Sequence, residues 1–447
     1  MSEQPKITRF WIKNFKSLKN IELELKDFNL LVGRNASGKT NIIEAFKLFE
    51  KIYSYEFQYV NPFLEWWGYQ NVVWQGVEEL PIVMGFEVQV SNYKACFEVS
   101  VSGLGGRFEI LHETIDIPSI VKIEREGTKV VVKHEPEFIN KVWDKVKDAS
   151  IFEFGPKIPE KEQLLIQSAE IETGKLLCNT GWSATYTHDL ALVTLYLSYV
   201  KGEVLRVISP IIRMPNRIRD QRGKIKEGFT FEPLVGFMLG RSFIRPRVLL
   251  RQLDLKAIRS PQPVKREILL SEDGANLASV FHTIYIEQGG IPYRVQAALN
   301  AVFGENDREI IVKPELTDDG RVYIKVLEKG LELKPPMVAD GLWKLLAIVI
   351  AIETKPPLLL IDELENSLHP RAIEYVVNEL KNSGCIVIAT THSPSVVDIV
   401  KPEDLILVEK DEKGATKVRR ITEPEKVKRW LAKHEITLSE GWLYGEL

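Results

Sequence analysis

Apolar and polar residues alternate along the first part of the chain and predict β-strands. Residues 6–34 alternate and end in the fully apolar Leu30–Val32, a pattern typical of a strand buried on both faces. A helix is predicted from Lys39, because the apolar residues that follow recur at helical spacing. Residues 82–133 alternate again in short runs separated by turn residues, and this even spacing predicts an antiparallel meander.

The pattern changes beyond the meander. Helical patterns dominate residues 134–300, and strand patterns return at 309–333. Because strands then alternate with helices up to the C-terminal part, the chain as a whole predicts an α/β fold. The last predicted elements are a helix from near Gly341, a strand at 358–361, a helix at 370–382 and an apolar strand at Cys385–Ala389.

Composition adds limits rather than a function. The chain has 447 residues, 45% hydrophobic and 27% charged, which excludes a disordered or fibrous protein and suggests about three units. Its three cysteines form no CxxC pair, so we expect neither a disulfide framework nor a zinc ribbon. We find no signal-like N-terminus and no apolar run long enough for a bilayer, and therefore expect a cytoplasmic protein without a membrane partner.

A phosphate-binding loop is the clearest motif. Residues 33–40 read GRNASGKT, match GxxxxGK[ST], and lie between a buried strand and a helix, where backbone N–H groups bind phosphate. Lys39 would neutralise the β- and γ-phosphates of ATP, and the Thr40 hydroxyl would ligate Mg²⁺. The predicted nucleotide-binding residues are Gly33, Arg34, Asn35, Ala36, Ser37, Gly38, Lys39, Thr40 and Asn41.

Acidic and imidazole side chains at later strand ends predict the rest of the site. Asp362 and Glu363 follow an apolar strand, so Asp362 would hold Mg²⁺ and Glu363 would be the general base. His392 follows a second apolar strand and would contact the γ-phosphate. We therefore predict Lys39, Glu363 and His392 as catalytic residues. The helix that begins near Gly341 could also receive a γ-phosphate, or simply be a capped helix.

The order of these motifs resembles a known group. The phosphate loop, the segment ADG before a helix, LLLIDELENSLHP and IATTHSPSVV resemble the ABC-type ATPases of the RecF/SMC/OLD-nuclease group, more narrowly their stand-alone AAA-type members. The resemblance covers residues 1–130 and 300–447. It implies an α/β P-loop NTPase: an ABC-type ATPase head with an antiparallel β subdomain and a mainly helical insertion. It also implies a homodimer in which two heads enclose two ATP molecules.

The resemblance assigns further roles. Gln75 would be the Q-loop glutamine that senses Mg²⁺, and Ala339 stands where the group usually has a signature serine. Loss of one neutral hydrogen bond to the partner's nucleotide predicts a weaker or slower ATP sandwich. The residues expected to contact the partner head are Ala339, Asp340, Gly341, Asn366 and Ser367.

We predict three segments from these motifs. Residues 1–133 form the N-terminal lobe of the head, residues 134–300 the insertion, and residues 301–447 the C-terminal lobe. The insertion shows no sustained heptad, so we expect a globular or short-armed insertion rather than a coiled-coil arm. Because little sequence follows His392, we also expect no Toprim nuclease domain.

A basic stretch within residues 211–260 contrasts with the formal net charge of −3. Phenylalanines interleave its arginines and lysines, a composition that suits a nucleic-acid backbone or a partner protein, and equally a solvated surface. The arginines expected to contact DNA or a partner are Arg213, Arg217, Arg219, Arg222, Arg245 and Arg247.

Two functions follow as hypotheses. The first is a slow ATPase that uses ATP and Mg²⁺, dimerises and acts on DNA in repair or in defence against foreign DNA. The alternative is a nucleotide-gated regulatory module that controls a separately encoded nuclease or toxin. A subunit of a membrane transporter is disfavoured by the N-terminal lobe and the large insertion.

Overall fold

The chain forms two compact units in a computed structural model. One unit comprises residues 1–24 and 47–245, and the other comprises residues 25–46 and 246–447. The structure describes residues 6–53, 61–90, 93–119, 121–137, 140, 166–170, 216–219, 225–228, 248–304 and 309–446.

The elements are numbered in chain order. The strands are β1 Lys6–Phe15, β2 Leu18–Glu24, β3 Phe28–Val32, β4 Ile82–Val90, β5 Tyr93–Ser102, β6 Glu109–Ile117, β7 Val121–Glu126, β8 Lys129–His134, β9 Ile166–Glu170, β10 Asn216–Arg219, β11 Ile225–Gly228, β12 Val248–Leu250, β13 Gln262–Pro263, β14 Ile310–Leu316, β15 Arg321–Glu328, β16 Leu331–Leu333, β17 Leu358–Ile361, β18 Ile386–Thr391, β19 Leu405–Lys410 and β20 Thr416–Arg420. The helices are α1 Lys39–Tyr53, α2 Leu255–Ile258, α3 Leu277–Gln288, α4 Tyr293–Phe303, α5 Asp340–Glu353, α6 Pro370–Lys381, α7 Pro394–Ile399, α8 Pro424–His434 and α9 Leu438–Leu443.

The first unit contains the predicted antiparallel sheet. Its strands run in the order β2-β1-β4-β5-β6-β7-β8-β9, and every neighbouring pair is antiparallel. Aromatic side chains pack on its core face: the rings of Phe86 and Phe97 stack with centroids 4.8 Å apart, and Phe49 meets Phe86 edge-on at 4.9 Å. The five strands predicted within residues 82–133 are confirmed in this sheet.

The second unit is built on a mostly parallel sheet. Its order is β12-β17-β18-β3-β19-β20, with parallel pairs up to β19 and an antiparallel last pair. Every residue of β3, β17 and β18 is buried, which explains why these strands are largely apolar. The carboxyl ends of parallel strands share one edge, so the segments after β3, β17 and β18 meet there.

Helix α5 forms the centre of the second unit's core. All eleven residues from Leu342 to Ile352 are buried, including Lys344. Helices α3 and α4 and the small antiparallel sheet of β13, β15, β14 and β16 contribute to the same core. The apolar run that predicted a long helix near Gly341 therefore marks a helix covered on all sides.

The three predicted segments stay a prediction, and the compact units divide the chain at a different place. The chain from Pro246 onward, which includes the predicted end of the insertion at residue 300, belongs to the second unit. The physical reason is that β12 joins the sheet beside β17, and α3 and α4 bury apolar residues in that core. Between residues 134 and 245 the described elements beyond the end of β8 are strands β9, β10 and β11. Helical patterns in this part of the sequence predict helices at residues 135–148 and 190–200. The first lies largely, and the second wholly, outside the described residues.

Among the helices that the structure describes, none combines the length and the apolar character needed to cross a membrane.

Candidate functional site

The phosphate loop lies where the sequence predicted it, between the end of β3 and the start of α1. Ala36 and Gly38 adopt left-handed φ angles of 62° and 111°, a backbone that turns successive N–H groups toward one side. The N–H of Ser37 donates to the Arg34 carbonyl at 3.2 Å, and the Thr416 hydroxyl donates to the Ser37 carbonyl at 2.9 Å. The loop is therefore fixed from within and from β20.

Lys39 extends back over this loop. Its side-chain Nζ donates to the carbonyls of Gly33 at 2.7 Å and Arg34 at 3.1 Å, and the residue is 8% exposed. Burial lowers the pKa of Lys39, and the charges of Asp362, Glu365 and Glu363 oppose that shift. A desolvated ammonium next to a turned loop suits a phosphate group.

A buried hydroxyl tests whether phosphate fits this loop. The Ser37 Oγ atom is buried and has no hydrogen-bond partner among the described residues. Such a group costs free energy unless something else bonds to it, and a phosphate oxygen above the loop would do so. The residues present therefore fit the nucleotide that the motif implies.

Asp362 follows β17 and is held from two sides. Its N–H donates to the Leu250 carbonyl of β12 at 2.8 Å, and its Oδ1 accepts from the Thr390 hydroxyl at 2.7 Å. The Thr40 hydroxyl lies 3.5 Å from the same Oδ1 atom. A carboxylate and a hydroxyl oxygen this close match the donors that Mg²⁺ takes alongside phosphates and water.

Glu363 is exposed and has a strained backbone. Its φ of 51° is unusual for a residue with a side chain, and its N–H donates to the Thr390 hydroxyl at 2.8 Å. The hydroxyl of Thr390 thus fixes the positions of both acids. The roles of Asp362 in metal binding and of Glu363 as a general base stay predictions.

His392 lies just past β18, as predicted, and is held by Glu365. The backbone N–H of His392 donates to Glu365 Oε1 at 2.9 Å, and its Nδ1 atom lies 3.1 Å from the same oxygen. This contact orients the imidazole ring.

A cleft of about 490 Å³ opens beside Thr40 and the two acids. Gln252 lines this cleft two residues after the end of β12, whereas Gln75 belongs to the first unit. The role of Gln75 in metal binding stays a prediction, and Gln252 is a second candidate that the sequence reading missed. The residues lining the cleft are Thr40, Arg251, Gln252, Glu272, Asp273, Asp362, Glu363 and Asn366.

The signature segment caps α5. Ala339 is the N-cap residue and makes no side-chain hydrogen bond, while Arg259 donates to Asp340 Oδ1 at 2.6 Å and to the Val338 carbonyl at 3.1 Å. A Cβ atom on Gly341 would lie 2.8 Å from the carbonyl oxygen of Ser367, so this glycine allows a close approach. The predicted contacts of these residues with a partner head stay a prediction.

The basic stretch is only partly described. Arg217 and Arg219 lie on β10, which pairs antiparallel with β11, so this part forms a hairpin. The described residues of the stretch from 248 onward belong to the second unit. The remaining arginines of the prediction lie outside the described residues: Arg213, Arg222, Arg245 and Arg247.

Sequence reasoning missed several residues that hold the site. Lys344 interrupts an apolar helix, and the pair Glu272–Asp273 lies in the segment LSEDGANLASVFH, so both carried a visible signal. Thr390 and Glu365 gave none, because their roles come from contacts between strand ends far apart in the chain.

Comparisons with protein families match most of the chain. A family described as "AAA ATPase domain" matches residues 6–183. A second, described as "AAA domain, putative AbiEii toxin, Type IV TA system", matches residues 249–398. These ranges include the phosphate loop and the Asp362–Glu363 pair respectively.

Curated relatives match shorter parts. The DNA replication and repair protein RecF of Lactococcus lactis is 30% identical over 88 residues, which cover 20% of this chain and 24% of the relative. RecF of Haemophilus ducreyi is 52% identical over 40 residues, 9% of this chain and 11% of the relative. The chain thus spans about a quarter or less of the length of these relatives.

Solved structures at 12% identity include three SMC heads. An Smc head bound to the C-terminal winged-helix domain of ScpA has a TM-score of 0.49 and covers 95% of this chain and 99% of that one. The SMC head of Thermotoga maritima has a TM-score of 0.40, with 93% and 99% covered. An Smc head with an extended coiled coil, bound to a ScpA domain from Pyrococcus furiosus, has 0.45, with 97% and 100% covered.

The two AAA matches, the local likeness to RecF and the phosphate loop near Asp362 and Glu363 on a parallel sheet together support a resemblance of this chain to RecF/SMC-like ATPases of AAA/ABC type.

Proposed function

We propose that the chain binds ATP with Mg²⁺ at the edge of the parallel sheet and hydrolyses it slowly. The observation that carries this proposal is the assembly of Lys39, Thr40, Asp362 and Glu363 at one edge, with the Thr40 hydroxyl 3.5 Å from Asp362. Residues separated by most of the chain meet here in the chemistry that phosphoryl transfer needs.

Each side chain has one task in this mechanism. The loop N–H groups and Lys39 bind and neutralise the phosphates, and Thr40 and Asp362 would hold Mg²⁺. The metal, when bound, would neutralise charge on the β- and γ-phosphate oxygens. Glu363 accepts a proton from the attacking water, and His392, oriented by Glu365, contacts the γ-phosphate.

Replacement of the general base tests the proposal. Glu363→Gln keeps the shape of the side chain and removes the proton acceptor, so we expect ATP turnover to fall by roughly 100-fold or more while ATP binding persists. Glu412→Gln, at an exposed turn, is the matched control and should leave turnover unchanged. Equal turnover in all three proteins would refute the assignment of Glu363.

A dimer is the proposed working form. Ala339, Asp340, Asn366 and Ser367 are exposed, so they are free to meet a second copy. The Glu363→Gln variant should remain in this dimeric form when ATP is bound, because it hydrolyses ATP more slowly. Light scattering with ATP and Mg²⁺ should then report twice the 51.1 kDa mass of one chain. A mass that stays at one chain under these conditions would contradict the dimer.

We further propose that the ATP cycle acts on DNA. The matched relatives are named DNA replication and repair proteins, and the basic stretch offers arginines to a phosphate backbone. Stimulation of ATP turnover by added DNA is the expected result, and no response to single- or double-stranded DNA would count against it.

A second candidate is a regulatory module for a separately encoded toxin or nuclease. The description of the family that matches residues 249–398 names a toxin of a type IV toxin–antitoxin system, which favours this alternative. It predicts tight ATP binding, slow turnover and no effect of DNA. The DNA-stimulation assay therefore separates the two candidates.

A further inference from the structure

Arg251 contacts the proposed metal ligand directly. It follows β12, the strand that pairs in parallel with β17. Its Nε atom lies 3.5 Å from Asp362 Oδ2, and its Nη1 atom lies 3.4 Å from Glu44 Oε1 on α1. A single guanidinium thus bridges the helix that begins in the phosphate loop and the acid that would hold Mg²⁺.

The backbone of Arg251 is fixed on both sides. Its N–H donates to the Glu272 carbonyl at 3.2 Å, and its own carbonyl accepts from the Lys344 ammonium at 3.4 Å. The side chain is 34% exposed, and among the described residues it is held by the two carboxylates at these longer distances. The guanidinium is therefore the part of the residue that can change position.

The cleft beside Arg251 is lined by more negatively charged side chains than positively charged ones. Its lining holds four carboxylates, Glu272, Asp273, Asp362 and Glu363, and Arg251 is the one cation among the described residues that line it. The Oδ1 atom of Asp362 already accepts from Thr390, whereas Oδ2 faces Arg251. A cation that binds Asp362 must compete with the charge of Arg251.

We propose that Arg251 is a resident counter-cation that competes with Mg²⁺ for Asp362 and keeps the site from binding metal before nucleotide arrives. The inference rests on the proposed ATP and Mg²⁺ site. Without nucleotide, Arg251 neutralises Asp362 and a divalent ion meets its repulsion. When nucleotide binds, the negative charge of its phosphates attracts both the Arg251 guanidinium and Mg²⁺. Metal and nucleotide therefore bind together.

Binding of Mn²⁺, a paramagnetic substitute for Mg²⁺, tests this without any turnover. In electron paramagnetic resonance titrations of the full chain without nucleotide, Arg251→Gln should lower the Kd for Mn²⁺ roughly tenfold. Arg251→Lys keeps the charge and should stay close to the unmodified protein. Arg266→Gln removes an arginine that is 82% exposed and pairs with Glu287, and as the matched control should not change the Kd.

The outcomes separate this inference from the proposed function. An unchanged or higher Kd in folded Arg251→Gln would overturn the role of Arg251, and Arg251→Met repeats the test if the glutamine variant fails to fold. Asp362→Asn should weaken Mn²⁺ binding strongly. If Asp362→Asn weakens Mn²⁺ binding while Arg251→Gln leaves the Kd unchanged, the proposed metal site is supported and only the role of Arg251 is refuted. If Asp362→Asn binds Mn²⁺ with an unchanged Kd, both the proposed metal site and the role of Arg251 are refuted.

Discussion

At the scale of single residues, the hydroxyl of Thr390 holds the two acids of the site. It donates to Asp362 Oδ1 and accepts from the Glu363 N–H, and Thr390 is fully buried. The acceptor role stabilises the left-handed backbone of Glu363, and the donor role fixes the carboxylate of Asp362. The spacing of both acids thus depends on one side chain of the neighbouring strand.

Substitution of Thr390 by valine should therefore cost stability and activity. The change keeps the shape but removes both hydrogen bonds, and we expect unfolding free energy to fall by about 1–3 kcal/mol, with slower ATP turnover. Urea denaturation and an ATPase assay measure the two effects. Thr391→Val is the matched control, because that buried hydroxyl accepts a single bond from the Ser393 N–H. Equal losses in the two variants would contradict the special role of Thr390.

Lys344 predicts a pH dependence of stability. Burial lowers the pKa of Lys344 from 10.5 to about 8, although the charges of Asp362, Glu363 and Glu365 oppose the shift. As the pH rises, the folded state loses the Lys344 proton before the unfolded state does. The free-energy cost of burying the charged ammonium is therefore at its maximum below pH 8 and disappears as the pH rises to 10.5. Lys344→Met should thus stabilise the protein at pH 7 by about 3 kcal/mol.

Thermal unfolding across this pH range measures the prediction. The gap between Lys344→Met and the unmodified protein should narrow from pH 8 to pH 10.5. Lys433→Met, on the exposed side of α8, controls for loss of a positive charge. A gap that does not change with pH would show that the buried ammonium does not set the stability.

Single site residues can be predicted from the sequence where a local pattern marks them. The phosphate loop, Asp362, Glu363 and His392 each follow an apolar strand, so strand-end chemistry identifies them. Thr390, Glu365 and Arg251 act through partners that only the folded sheet brings near, and no spacing predicts those pairs. Gln252 was missed for the same reason, because it lines the cleft only through the pairing of β12 with β17.

At the scale of elements, the start of α5 lies against the loop that precedes α6. A Cβ atom at Gly341 would lie 2.8 Å from the Ser367 carbonyl oxygen, and Ser367 itself has a left-handed φ of 63°. The helix and the loop are both proposed to face the partner head. Their mutual fit therefore shapes that surface.

Gly341→Ala should disturb this fit. Alanine favours a helix by about 1 kcal/mol over glycine, but separating two backbones costs about 1–3 kcal/mol, so we expect net destabilisation and weaker ATP-dependent dimerisation. Thermal unfolding and light scattering report the two effects. Gly290→Ala is the control, since a Cβ there meets nothing within 4 Å. A stabilised Gly341→Ala protein would contradict the close approach.

Elements of some length can be predicted from the sequence pattern, whereas very short ones cannot. Helices α1 and α5 begin at or next to their predicted first residues, and β17 has the predicted bounds of 358–361. Strand β12 spans only Val248–Leu250, too short for alternation to reveal it. Because this strand pairs with β17 in the parallel sheet, it belongs to the second unit, a placement that the sequence pattern did not predict.

At the scale of the whole molecule, charge is distributed unevenly along a chain of net charge −3. If the basic stretch binds DNA, joint replacement of Arg213, Arg217 and Arg219 by glutamine should reduce the slope of log affinity against log salt by roughly two to three. Fluorescence anisotropy over a salt series measures this. The matched control replaces three exposed lysines of the second unit, Lys401, Lys413 and Lys433. Equal slope changes in both variants would refute a local DNA contact.

The discontinuous second unit has a consequence during synthesis on the ribosome. Strand β3 is made early, yet its neighbours β18 and β19 begin at Ile386 and Leu405. Until those strands emerge, the buried apolar residues of β3 and the phosphate loop after it lack their sheet. The first unit has its own antiparallel sheet and can form earlier, because its strand pairs are nearer in sequence. A nascent chain should therefore acquire nucleotide affinity only after β18 and β19 have emerged from the ribosome.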